Sequence, residues 1–140
     1  MPRTTYNYEQ QVGTGRQSAI IMACIRWLQR TFPEAPLMLE SPSTEGEWEQ
    51  EQDHPFLALL DVPNPYYDGL LLQSATIADL MLTGNAYWLK RRSSVGRVVE
   101  IWWVPSLLMT PKWPMDGSQY ISHYDYSPGY KTEHTDPADV

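Results

Sequence analysis

The stretch Leu82-Thr83-Gly84-Asn85-Ala86-Tyr87-Trp88-Leu89-Lys90-Arg91-Arg92, continuing through Ser93-Ser94-Val95-Gly96-Arg97 to Val98-Val99-Glu100-Ile101-Trp102-Trp103-Val104, decides the fold. It holds three signals in order. A helical pattern ends at Thr83, and Gly84 stands where a left-handed C-terminal cap belongs. Asn85 to Arg92 then alternates as a strand, and Val98 to Val104 reads as a second one. Gly96 in the short connection predicts a hairpin. Val99, Ile101 and Trp103 are expected on one face, and Val98, Glu100, Trp102 and Val104 on the other. Both faces carry apolar bulk, so this sheet is expected to pack on helices and on something more.

Working towards the N-terminus, Asp68 to Thr83 predicts a helix capped by Asp68, about 24 Å long. Leu72, Ile77, Leu80 and Met81 form its expected apolar surface, with Ala75 and Ala78 allowing close approach. Pro63-Asn64-Pro65 prevents regular structure, because each proline lacks an N–H and restricts the residue before it. His54 to Leu60 predicts a short helix with Pro55 in its first turn. Glu40 to Asp53 is polar and acidic and reads as a surface loop, preceded by a short strand at Leu37 to Leu39. Ser18 to Phe32 predicts another helix, capped by Ser18 and stopped by Pro33. Its apolar positions span a wide arc, so burial on most sides is expected, with Cys24 as inert packing. Residues 1–17 read as a flexible lead. Towards the C-terminus, Pro105, Pro111 and Pro114 break the chain, and Tyr120 to Tyr126 with Tyr130 to Thr132 predicts a further hairpin around Ser127-Pro128-Gly129.

The composition narrows the function. At 140 residues there is room for a single domain. Six Trp and nine Tyr argue against whole-chain disorder. The net charge of −7 opposes independent binding to nucleic acid through phosphates. Residues 31–89 contain ten acids and no Lys or Arg. The single Cys excludes an internal disulfide and any Cys-rich zinc site. No run of 18 apolar residues spans a membrane, and Met1 to Gln17 lacks the apolar core of a signal peptide.

Candidate chemistry is sparse, and no enzyme activity, cofactor or metal is expected. Ser18, Ser74 and Ser106 lack a G-x-S-x-G setting. Gly13 to Ser18 lacks the strand, the Lys-Ser/Thr pair and the spacing of a phosphate loop. Lys90-Arg91-Arg92 beside Trp88, Trp102 and Trp103 resembles a single-strand binding patch. Strand alternation divides its charges between two faces, so a solvated turn is the expectation. The acidic run from Glu45 to Asp53 has no calcium-loop pattern. His123, Asp125, Glu133 and His134 are the best candidates for metal ligands. In a polar, turn-rich tail the default is solvation, and convergence of the side chains is the test.

The order of features carries a resemblance. Ser18 to Ile25, Ala35-Pro36-Leu37, His54-Pro55-Phe56, Pro63-Asn64-Pro65, Gly84-Asn85-Ala86-Tyr87, the Gly96 turn before Val99-Glu100-Ile101-Trp102, Tyr124-Asp125-Tyr126 and Asp136 to Val140 follow one another as a series. The series resembles the N-terminal part of the portal proteins of tailed bacteriophages, over about residues 18–140. Its most specific pieces are Pro63, Asn64 and Pro65, and Gly84, Asn85, Ala86 and Tyr87.

The resemblance implies an α+β domain, two main helices packed on antiparallel β-hairpins in the manner of a portal wing, occupying residues 18–140. It implies a structural role in the ring at the capsid vertex, through which DNA is packaged and ejected and to which the tail attaches. The implied partners are other portal subunits, commonly twelve, together with capsid, packaging motor and head–tail adaptor proteins. Double-stranded DNA is cargo only, and no membrane is involved. The implied location is the virion, and the host bacterial cytoplasm during assembly. Portal proteins of this type run to several hundred residues, so the chain is expected to be a fragment, a truncated prophage gene or one piece of a split portal. A small protein-binding adaptor derived from a portal wing is the alternative. Trp88, Trp102 and Trp103 are the candidate interface residues, since large aromatics anchor interfaces; internal core is their other reading.

Overall fold

The computed structural model describes residues 18–43 and 46–140. The expected lead at residues 1–17, and with it all of the Gly13 to Ser18 stretch except Ser18, lies outside the described residues.

Three α-helices form where the capping residues place them. Helix α1 spans Ala19–Thr31, and the Ser18 Oγ accepts from the Ile21 N–H at 3.4 Å. A single 3-10 turn, Phe32–Glu34, follows it at Pro33. Helix α2 spans Pro55–Asp61, with His54 Nδ1 accepting from the Phe56 N–H. Helix α3 spans Gly69–Thr83. Asp68 Oδ1 accepts from the Leu71 N–H at 2.9 Å, and Gly84 closes α3 at φ 77°, the left-handed region that a Cβ disfavours.

All the strands pair antiparallel. A first hairpin joins β1 (Leu39–Pro42) to β2 (Trp48–Glu51), and a second joins β3 (Tyr87–Arg92) to β4 (Val98–Val104). A three-stranded sheet runs β5 (Met109–Lys112), β6 (His123–Tyr126), β7 (Glu133–Thr135) in that order. The architecture is mixed α+β, as expected.

Four local readings are corrected. The acidic segment is a hairpin, because Leu39 to Pro42 finds backbone partners in Trp48 to Glu51 despite its polarity; the strand starts two residues after Leu37. After Pro105 and a 3-10 turn at Ser106–Leu108 the chain resumes as β5, so it breaks at Pro105 and again around Pro114 but not at Pro111. Pro111 is tolerated there because β5 is an edge strand that need not donate on both sides. The last strand is Glu133–Thr135, with Tyr130 to Thr132 left in the connection. In β4 the register slips between Arg91 and Arg92, so that Arg91 opposes Glu100 and Arg92 opposes Val98. That bulge leaves Val99 unpaired and exposed, and brings Val98 onto the core side with Ile101 and Trp103.

The core lies between α2, α3 and the β3–β4 hairpin. Leu60, Leu72 and Ile101 are buried at its centre, with Leu59, Tyr67, Trp88, Val98 and Trp103 packed around them. Gly69 begins α3 directly against α2, and a Cβ there would run into the Leu60 carbonyl. Leu80 and Met81, expected in the core, are exposed. The helix instead turns Leu72, Thr76, Asp79 and Thr83 towards the hairpin and the turn after it.

Helix α1 departs further from expectation. Only Ile25 is buried, while Ile20 is 79% and Trp27 65% exposed. Cys24 is exposed rather than packed. Gln29 Nε2 reaches the Ser74 carbonyl at 3.1 Å and so ties α1 to α3 along one side only. Periodicity locates the apolar surface of a helix but carries no information on whether anything covers it.

Candidate functional site

The motif residues build a clamp between α3 and the hairpin. Asn64 is 5% exposed. Its Nδ2 donates to the Ile101 carbonyl at 2.9 Å, and its Oδ1 accepts from the Tyr66 N–H at 3.0 Å. The Ile101 N–H donates back to the Pro63 carbonyl at 2.8 Å. One backbone and one side-chain hydrogen bond thus tie the Pro63-Asn64-Pro65 turn to Ile101 of β4, with the side-chain amide supplying what the prolines cannot donate.

The second motif works at the other end of α3. Asp79 is 2% exposed, and its Oδ2 accepts from the Trp103 Nε1–H at 3.0 Å and from the Ser106 N–H at 2.9 Å. Thr83 Oγ1 lies 2.9 Å from Ser106 Oγ and accepts from the Asn85 N–H at 3.3 Å. Gly84, Asn85 and Ala86 carry the chain from α3 into β3, which starts at Tyr87. The Tyr87 ring meets the Tyr124 ring edge-on at 5.7 Å and so touches the three-stranded sheet. Burial raises the Tyr87 pKa above the ordinary tyrosine value, and the neighbouring Tyr124 adds to the shift.

The three candidate tryptophans are engaged within the chain. Trp88 Nε1 donates to Thr76 Oγ1 at 2.7 Å, Trp103 Nε1 to Asp79, and Trp102 Nε1 to Glu100 Oε2 at 2.9 Å. Trp88 and Trp103 pack on the core cluster. The Trp102 ring meets Tyr66 at a tilt and Tyr67 edge-on. The exposed tryptophans are Trp27, Trp48 and Trp113. Sequence reasoning gave the polar α3 face no part in the core. The i, i+4, i+7, i+11 spacing of Leu72, Thr76, Asp79 and Thr83 was the available signal, since a hydrophobic scan skips Thr and Asp.

Two of the three charges in the basic cluster, Arg91 and Arg92, are paired locally. Arg91 pairs with Glu100 across the hairpin at 3.3 Å. Arg92 reaches Asp139 and the Ala138 carbonyl, the latter at 2.8 Å. No basic stripe is left for a nucleic-acid backbone among these residues.

Of the four metal-ligand types, three converge. His123 and Asp125 share a face of β6, and His134 lies opposite Asp125 on β7. One ligand atom from each lies within 4.8 Å of the others. His134 Nδ1 is 2.7 Å and His123 Nε2 3.4 Å from Asp125 Oδ1, while Lys112 Nζ is 3.3 Å from Oδ2. Partial burial acts to raise the Asp125 pKa, but hydrogen bonds from His134 and Lys112 outweigh it, and the net shift is downward. Glu133 stays outside and pairs with Lys131.

A mixed α+β domain locked by a buried polar clamp, carrying an apolar helix on its outside, is the design of a part that packs into a larger structure. The chain belongs to the phage portal protein family, whose model matches residues 19–140. That family is a structural one. No curated protein matches the chain in sequence. Similar solved structures include a chain in the neck of an empty GTA particle computed with C6 symmetry, at TM-score 0.73 and 23% identity, covering 96% of this chain and 34% of that one. Another is a chain in the virion of a native gene transfer agent (GTA) particle, at TM-score 0.68 and 20% identity, covering 88% of this chain and 29% of that one. At these identities the likeness is one of fold. The chain spans about a third of the length of the proteins it matches.

Proposed function

We propose that this chain is the wing segment of a portal, a structural component of the ring at a capsid vertex through which DNA passes and to which a tail attaches. The observation that carries the reading is the family match over nearly the whole chain, supported by the fold of a particle-neck protein. The segment performs no covalent chemistry. Its partners are other portal subunits in a cyclic ring, commonly of twelve, with capsid, motor and head–tail adaptor proteins around it. Its location is the virion vertex, and the host cytoplasm during assembly. Pro63, Asn64, Pro65, Gly84, Asn85, Ala86 and Tyr87 hold the wing together rather than contact partners, since Asn64 bonds inwards to Ile101, Gly84 closes α3 and Tyr87 meets Tyr124.

The outward side of α1 is the subunit contact. Ile20, Ile21, Cys24 and Trp27 expose a continuous apolar surface of the kind that marks interaction sites. Heterologous contacts repeated around an axis close into a ring, and a second copy of the chain is the occupant that the proposed ring supplies.

Light scattering after size exclusion tests this reading. The expected result is a species of several chain masses, up to twelve, that falls to a monomer in Trp27→Glu. A monomer for the unsubstituted chain at all concentrations would support the adaptor alternative, in which a wing-derived module binds other proteins singly.

A further inference from the structure

The convergence of His123, Asp125 and His134 has no part in the clamp or in the α1 surface. We propose that these three side chains form a binding site for one divalent transition-metal ion of the zinc type, bridging β6 and β7.

The donor set suits that class. Two imidazoles and one carboxylate are ligands for Zn²⁺ and its borderline neighbours, whereas Mg²⁺ and Ca²⁺ favour all-oxygen sets. The geometry is close to what such an ion needs. Ligands about 2.0–2.2 Å from a tetrahedral zinc lie roughly 3.3–3.6 Å from one another. His123 Nε2 and Asp125 Oδ1 already stand at 3.4 Å. His134 Nδ1, at 2.7 Å from the same oxygen, has to open by less than an ångström, and its side chain is 72% exposed and free to turn.

The surroundings prepare the ligands. Ser122 Oγ lies 3.0 Å from the Lys112 carbonyl and 2.9 Å from His123 Nδ1. When its one proton goes to the carbonyl, Ser122 accepts from His123 Nδ1–H, and that tautomer turns the Nε2 lone pair towards Asp125. A histidine metal ligand held by a hydrogen bond on its other nitrogen is the usual arrangement. Lys112 engages Oδ2 and leaves Oδ1 for the ion, so the carboxylate ligates through one oxygen. His134 ligates through Nδ1 as the tautomer that carries its proton on Nε2. The fourth position is open to water. The ion joins β7, only three residues long, to β6 by bonds stronger than its few ladder hydrogen bonds.

Calorimetric titration of the 140-residue chain with ZnCl₂ is the test. The expected result is one ion per chain, with binding lost or weakened at least tenfold in His134→Ala and in Asp125→Asn, and unchanged in Glu133→Gln. Ser122→Ala, which removes the hydrogen bond behind His123 together with the one to the Lys112 carbonyl, is expected to weaken binding about tenfold. Zinc at a hundredfold excess over its dissociation constant is expected to raise the melting temperature by about 5–10 °C. His134→Ala changes an exposed side chain and is checked by circular dichroism to retain the fold. Failure of the unsubstituted chain to bind zinc, or equal binding by folded His134→Ala, overturns the proposal.

Discussion

The body formed by α2, α3 and the β3–β4 hairpin and the helix α1 that leans on it have similar apolar content but opposite fates. In the body, modest apolar burial is reinforced by polar groups that satisfy one another: Asn64 on Ile101, Asp79 on Trp103 and Ser106, Thr76 on Trp88. In α1, Ile25 is buried and Met22 and Leu28 are half-buried, while Ile20, Ile21, Cys24 and Trp27 face outwards. Enclosure is set by complementary partners, and hydrophobic pattern alone does not supply them. The body carries its partners within the chain. In the proposed ring, the α1 surface takes them from another subunit.

Substitutions should separate the two regions sharply. The largest expected effect is in the body: Leu72→Ala, at a side chain 1% exposed, should lower unfolding free energy by about 2–5 kcal/mol in denaturant titration. Asn64→Ala should cost about 1–3 kcal/mol, because it strands the Ile101 carbonyl and the Tyr66 N–H without partners. Gly84→Ala should cost about 1 kcal/mol for forcing a Cβ into φ 77°. Trp27→Ser in α1 should change the stability of the monomer by less than about 0.5 kcal/mol, while reducing self-association. A loss of 2 kcal/mol there would erase the distinction between the regions.

The smallest effect concerns Tyr87, where the body meets the three-stranded sheet. Its folded-state pKa is raised, so the folded chain holds the phenolic proton more tightly than the unfolded chain does. Stability is therefore full below the ordinary value of about 10 and falls as pH rises from there through the folded pKa. Tyr87→Phe should flatten this alkaline decline when stability is followed against pH.

Much of the body was legible in the sequence because its determinants are local. Ser18, Asp68 and Gly84 mark helix ends by capping chemistry, and Gly96 marks the turn of the hairpin. The family series from Pro63-Asn64-Pro65 to Gly84-Asn85-Ala86-Tyr87 was legible as well, although the reason for it was not. Asn64 is needed for an Ile101 carbonyl 37 residues away, and no local pattern carries that distance. The β1–β2 hairpin was hidden by its acidic side chains, since backbone pairing does not require apolar ones. The bulge at Val99 exchanged Val98 for Val99 on the core face beside Ile101 and Trp103, because a single extra residue reverses a period of two beyond it. The convergence of His123, Asp125 and His134 depends on the β6–β7 register, which the misplaced last strand obscured.

The central claim is that α1 is exposed in the single chain and covered when chains associate. Cys24, the sole cysteine, lies on the helix beside Trp27 and reports on it directly. The measurement is the rate of maleimide labelling of Cys24 over a series of protein concentrations, with Trp27→Glu alongside. The account predicts rapid labelling in dilute chain, slowing as concentration rises, and no slowing in the variant. Labelling that is slow at every concentration, or equally fast at every concentration, would contradict it.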